Sequence, residues 1–168
     1  MSMDCSHVQF SDQTPIDLTQ LRALLDETAF WARDRSEADL AVALANSRPV
    51  VTAWDGDRLI GFARATSDGI YRAAIWDVAI HPAYQGAGLG RKLVHTVLSH
   101  PMLAQVERVY LMTTNQQKFY ERIGFEQNTS TTMVLFNSQE FNTEGIGEAL
   151  ATVTPRSPQR TIVFAQPE

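Results

Sequence analysis

The residues best suited to holding a charged ligand form one run, Gln85-Gly86-Ala87-Gly88-Leu89-Gly90, followed by Arg91 and Lys92. Leu89, Leu93, Val94, Val97 and Leu98 mark one face of a helix that begins inside the run, and the β-branched and aromatic residues ending at Ile80 mark a strand before it. Such a strand-to-helix connection gathers main-chain N–H groups at a helix N-terminus, where the peptide dipoles favour an anion by about 0.3–1 kcal/mol per charge. Glycine lets phosphate oxygens approach the main chain with no Cβ in the way. Two phosphate-binding patterns fail on spacing. A dinucleotide fingerprint starting at Gly86 needs glycine at position 91, which is Arg91; a Walker A loop starting there needs Gly-Lys-Ser/Thr where the chain has Arg91, Lys92 and Leu93. Gln-x-x-Gly-x-Gly on Gln85, Gly88 and Gly90 does fit, against the plainer reading of a glycine turn that joins strand to helix.

The elements that must position this loop are legible on either side of it. Leu18, Leu21, Leu24 and Leu25 predict a helix over Asp17 to Glu27, and Ser36 with Asp39 three residues on predicts the start of a second, stopped by Asn46 and Pro49. The aromatic and charged connector 29–35 lies between them. Val50 to Trp54 and Arg58 to Thr66 are strand-like and joined by Asp55-Gly56-Asp57, and a further turn at Ser67-Asp68-Gly69 leads into a strand over Ile70 to Ile80, ended by His81-Pro82. Three antiparallel strands are expected. After the loop come a helix closed by Pro101, a strand over Val109 to Met112, a short helix over Gln116 to Ile123 capped by Gly124, and a last strand over Thr131 to Phe136.

At 168 residues, 44% hydrophobic and 20% charged, the chain suits one domain with its own core. A net charge of −5 argues against nucleic acid as the main ligand, and the absence of a long apolar run argues against a membrane span. Cys5 is the only cysteine, which excludes an intrachain disulfide and a thiolate-rich metal site; it reads as a loose terminal thiol, and no metal is expected. The N-terminal residues lack the charge and apolar pattern of a leader, so a cytoplasmic address is the expectation.

Gln85, Gly88 and Gly90 resemble the pyrophosphate loop of the GNAT acetyltransferase superfamily. Phe119-Tyr120-Glu121-Arg122-Ile123-Gly124-Phe125 resembles the F-Y-x-x-x-G-F signature near the end of such domains, in the right order and at the right distance. The runs from Gly61 to Gly69, from Ile75 to Val78 and from Tyr84 to Gly86 are similar to the plastid and cyanobacterial branch that includes plant serotonin N-acetyltransferase. The resemblance implies a GNAT domain over 7–136, with 137–168 as a C-terminal extension. The expected fold is α+β: a splayed, mixed, mostly antiparallel sheet with helices on both faces.

The same resemblance implies a chemistry and its residues. Acetyl-CoA would be the cosubstrate, its pantetheine arm paired with the main chain of Val78, Ala79 and Ile80, and its pyrophosphate on Gly86, Ala87, Gly88, Leu89, Gly90 and Arg91 beside Gln85, with Asn115 as a further contact. The partner would be a small-molecule amine or a protein amine, with a homodimer allowed. Tyr120 matches the tyrosine that protonates the departing sulfur, and a phenol of pKa about 10 suits a thiolate of about 8.5. The base stays open between Asp77, which needs a bulge to turn it inward because Ala74 and Trp76 hold the inward positions, His81, and water. Where the plant relatives carry Asp seven residues before the tyrosine, this chain has Thr113. Phe30, Trp31, Tyr71 and Trp76 are candidates to line an arylalkylamine pocket, or are ordinary core aromatics. The alternative function is a catalytically silent acetyl-CoA-binding sensor or interaction module.

Overall fold

The computed structural model describes residues 5–13 and 15–135. The chain divides into two units, Met1–Gln127 and Asn128–Glu168, and every regular element among the described residues belongs to the first. These are β1 (Gln9–Ser11), α1 (Leu18–Thr28), α2 (Glu37–Ala45), β2 (Val50–Asp55), β3 (Arg58–Ser67), β4 (Arg72–Ile80), α3 (Leu89–Ser99), β5 (Arg108–Tyr110) and α4 (Gln117–Glu121), with single 3-10 turns at Phe30–Ala32 and Pro82–Tyr84. The sheet order is β1-β2-β3-β4-β5; the first three pairings are antiparallel and β4–β5 is parallel. This is the mixed, mostly antiparallel sheet expected.

The helices start where polar side chains satisfy their first N–H groups. Asp17 accepts from Thr19 N at 2.8 Å to open α1; Ser36 Oγ accepts from Asp39 N at 3.1 Å and donates to the Asp39 carboxylate at 2.7 Å to open α2. Leu21, Leu24 and Leu25 of α1 and Leu40 of α2 pack with Leu59, Phe62 and Ala79 on one face of the sheet. On the other, Leu93, Val94 and Val97 of α3 pack with Val51, Ala53, Ile60, Ala63 and Ile75. Each fully buried side chain of this size contributes about 1.5–3 kcal/mol. Strand β3 is covered on both faces, so it reads as an apolar run rather than an alternation.

Four expectations change. β1 was not foreseen, because three residues are too few to carry a period of two. β4 begins at Arg72 rather than Ile70: the Asp68 carboxylate accepts from Ile70 N, Tyr71 N and Arg72 N at 2.8, 2.7 and 3.0 Å and winds the first two into the turn. Residues 131–135 form no strand, and Phe136 and the extension 137–168 lie outside the described residues. Cys5 is not loose; it is half-buried against the core on the α3 side, with its carbonyl accepting from Val8 N at 3.1 Å.

Candidate functional site

The site begins where β4 leaves its neighbour. Pairing with β5 covers Arg72↔Arg108, Ala73↔Val109 and Ala74↔Tyr110, and stops there. On the other side Phe62 opposes Ala79 and Arg64 opposes Trp76, so Asp77 and Val78 share the single residue Ala63. This is a β-bulge, with Asp77 at φ +55, and a bulge bends its strand. Beyond it, Val78, Ala79 and Ile80 line a cleft of about 670 Å³.

The glycine loop continues that wall. Gly86 and Gly88 stand at φ +81 and +82, with nothing within 4 Å of where a Cβ would be: conformation demands glycine here, and the surface above is open. Gly90 answers a different demand, since its Cβ would stand 3.4 Å from Phe119 Cζ. The α4 ring thereby packs on the first turn of α3. Gln85 Nε2 donates to Ile80 O at 2.9 Å, tying the loop to the end of β4. Gln85, Gly86, Gly88, Gly90 and Arg91 line the cleft; Leu89 is buried in the core and Ala87 packs against it, so these two can offer only main chain. The first turn of α3 has N–H groups without intrahelical acceptors, beside the Arg91 guanidinium. An anionic diphosphate fits this cradle.

Facing the strand, α4 brings Phe119 and Tyr120 to the cleft, with Asn115 and Gln116 just before them. Tyr120 meets Phe119 and Phe125 edge-on, with centroids 4.9 and 5.8 Å apart. Burial raises its pKa, and no charged or hydrogen-bonded neighbour adds to the shift. The phenol is therefore held protonated at neutral pH. Thr113 Oγ1 accepts from Gln116 N at 3.1 Å, so this side chain serves to start the turn into α4.

Four candidates are not brought together with the cleft. The Asp77 carboxylate, 6% exposed, accepts from Arg64 Nε at 2.7 Å and Arg35 Nη1 at 2.9 Å and does not line the cleft. Burial, the largest single influence, pushes its pKa up, but the bonds and charges of Arg64 and Arg35 together outweigh it and hold the carboxyl below its usual range. The bulge does turn Asp77, but toward two guanidiniums, which make it a poor proton acceptor. Trp76 donates from Nε1 to Thr66 Oγ1 at 2.9 Å and Tyr71 is 62% exposed; neither lines the cleft. Tyr71 lies before the start of β4, roughly 30 Å from Ile80 along a strand. His81 accepts at Nδ1 from Ala83 N at 3.2 Å, and its Nε2 lies 3.1 Å from Glu27 Oε2: it closes the strand end and does not line the cleft. Trp31 does line it, and the Phe30 side chain lies outside the described part.

The reading of the sequence gave no site role to Thr28, Tyr84, Gln116, Phe119, Arg122 and Ile123 on the cleft wall. Gln116 and Arg122 could have been found from their closeness to Tyr120 on a short helix. Thr28, at the end of α1, gave no signal.

A sheet that splits beside a glycine loop at a helix N-terminus, with a protonated tyrosine across the gap, is an acyl-transfer architecture. Residues 18–125 match the Acetyltransferase (GNAT) family, and the chain belongs to it. It is 45% identical over 121 residues to the uncharacterized N-acetyltransferase ycf52-like of Prochlorococcus marinus, covering 69% of this chain and 66% of that protein. It is 36% identical over 129 residues to the histone acetyltransferase TAP1 of Glycine max, covering 70% and 55%. The chain thus spans about half to two thirds of these relatives. Among solved structures, a GNAT-family putative acetyltransferase from Xanthomonas campestris pv. campestris superposes with a TM-score of 0.68 at 27% identity, over 77% of this chain and 94% of that one.

Proposed function

We propose that this chain transfers the acetyl group of acetyl-CoA to a primary amine by direct attack, with both substrates held together in the cleft. The observation that carries the reading is one continuous wall: the edge of Val78–Ile80 freed from β5, then Gly86 and Gly88 at positive φ, then the first turn of α3. Strand groups not taken up by β5 suit an amide-bearing arm, and the helix N-terminus with Arg91 suits a diphosphate. Asn115 and Gln116 on the opposite wall add amide groups. Acetyl-CoA supplies the acyl group as an activated thioester. The chain's contribution is first to hold amine and thioester in one geometry, which removes much of the barrier. The amine nitrogen bonds to the carbonyl carbon, the carbon–sulfur bond breaks, Tyr120 gives its hydroxyl proton to the sulfur, and the proton lost by the amine passes to water, from which the Tyr120 hydroxyl is restored.

The acceptor we propose is an arylalkylamine such as serotonin, or a protein lysine or N-terminal amine. Trp31 supports the first, as an aromatic wall 53% exposed at the cleft; the Glycine max relative described as a histone acetyltransferase supports the second. The test is coenzyme A release from acetyl-CoA across serotonin-like amines, polyamines and lysine peptides. Turnover with at least one class is expected; binding of acetyl-CoA without release across the whole panel would make the chain a silent binding module instead.

A further inference from the structure

The reading of Asp77 as a base leaves its two arginines unexplained, and those arginines lead away from the cleft. Arg35 belongs to the connector between α1 and α2 and immediately precedes Ser36, the cap of α2. Arg64 lies on β3, and its Nη1 donates to Ser47 Oγ at 3.0 Å; Ser47 in turn donates to Ala43 O at 2.7 Å in the last turn of α2. One carboxylate on the bulge of β4 therefore reaches both ends of α2, directly through Arg35 at its start and through Arg64 and Ser47 at its close. Helix α2 is otherwise seated by Leu40, its one buried residue, by half-buried Leu44 on the same cluster, and by a bond from Thr19 Oγ1 to Glu37 Oε1 at 3.2 Å. The connector that ends at Arg35 also carries Trp31, a side chain on the cleft. Asp77 itself sits at φ +55, a conformation that aspartate and asparagine tolerate better than other side-chain-bearing residues.

We infer that Asp77 is a positioning residue: its carboxylate clasps the segment from Arg35 to Ser47 onto the sheet and so fixes the Trp31 side of the cleft for the amine, without carrying a proton in the reaction. The inference rests on the acetyl-transfer reading for its kinetic consequences, and on geometry alone for the clasp. Because the carboxylate lies on the same bulge that swings Val78–Ile80 onto the cleft, one residue sets the distance between the two walls.

The experiment compares wild type with Asp77→Asn and Arg35→Gln. Asparagine keeps the size and tolerates the left-handed conformation, and Arg35 is one third exposed, so its loss leaves the core intact. Four quantities are read: the amine KM and kcat, acetyl-CoA affinity by calorimetry, the pH dependence of kcat/KM, and amide hydrogen exchange over residues 30–47. In both variants the amine KM rises about tenfold, the effect of losing one charged hydrogen bond. Acetyl-CoA affinity and the apparent pKa values of the profile stay as in wild type, exchange over 30–47 speeds up, and Arg35→Lys restores part of the loss. A fall in kcat for Asp77→Asn with the acidic limb of the profile removed and the amine KM unchanged would make Asp77 the base and overturn the inference. Unchanged exchange over 30–47 in the variants overturns it as well. If Asp77→Asn does not fold, Arg35→Gln decides by the same outcomes. Should wild type release no coenzyme A with any amine, the acetyl-transfer reading fails while the exchange measurement still decides the clasp.

Discussion

One wall of the cleft is made of main chain and the other of side chains. Val78–Ile80 and the loop through Gly88 offer N–H and C=O groups whose positions follow from backbone geometry: a strand released by β5, two glycines at positive φ, and a helix start. The rest of the cleft is lined by side chains: the ring of Tyr120, Thr28 at the end of α1, and Trp31 in the turn after it, the last held, on the clasp proposed above, by Arg35–Asp77. A ligand common to a whole family can be held by groups every residue possesses. A ligand that differs from one relative to the next has to be held by groups that substitution can change. On the proposed function, acetyl-CoA takes the first wall and the amine the second, and substitutions on either side can break that contrast.

The largest effect is expected at Tyr120. Tyr120→Phe keeps the ring packing and removes the proton donor, so kcat should fall by about a hundredfold or more while acetyl-CoA affinity stays unchanged in calorimetry. Equal turnover in the variant would remove Tyr120 from the chemistry. Because burial raises its pKa, the hydroxyl remains protonated through neutral and mildly alkaline solution. The alkaline limb of the rate profile that Tyr120 sets should therefore lie above that of an ordinary tyrosine.

On the main-chain wall, Gly88→Ala should weaken acetyl-CoA binding about tenfold, since a Cβ at φ +82 costs of order 1–2 kcal/mol and turns the N–H groups of the loop. Amine KM should not follow. Smaller again is Gln85→Ala, which removes the bond to Ile80 O and should weaken acetyl-CoA binding by a few-fold, in line with about 0.5–1.5 kcal/mol for a neutral hydrogen bond. On the other wall, Trp31→Ala should raise the KM of an aromatic amine several-fold with acetyl-CoA affinity intact, as expected when an exposed aromatic anchor is truncated.

The clasp also has a pH signature in stability. The folded Asp77 carboxyl is held below its unfolded value by Arg64 and Arg35 against the upward push of burial, so its contribution is present in full above the ordinary aspartate range. That contribution is lost as pH falls below about 4 and through the depressed value. Wild type and Asp77→Asn should accordingly differ in urea midpoint at neutral pH and converge in acid. A constant difference down to pH 2 would contradict the ion-pair account.

What could be read from the sequence divides along the same line as the two walls. Positive φ restricts residue type, so Gly86 and Gly88 announce the loop, and the apolar stripe from Leu89 to Leu98 announces the helix that follows. Ser36 with Asp39 gave the start of α2 for the same reason: a cap needs a particular side chain. The bulge left no comparable mark, because an aspartate fills the left-handed position where glycine would have signalled it. Without the bulge, and without knowing that β5 parts from β4 after Ala74, Tyr71 and Trp76 looked as able to reach the amine as Trp31 did. Thr28 and Arg35 reach the site region from the α1–α2 segment, far from it in the chain, through tertiary contacts that no local pattern encodes.

The most direct measurement is amide hydrogen exchange with and without acetyl-CoA, resolved along β4 and the loop after it. The account predicts protection on binding at Val78–Ile80 and across Gly86–Arg91, with Arg72–Ala74, already paired to β5, unchanged. Protection absent from both stretches, or confined to the segment around Trp31, would contradict it.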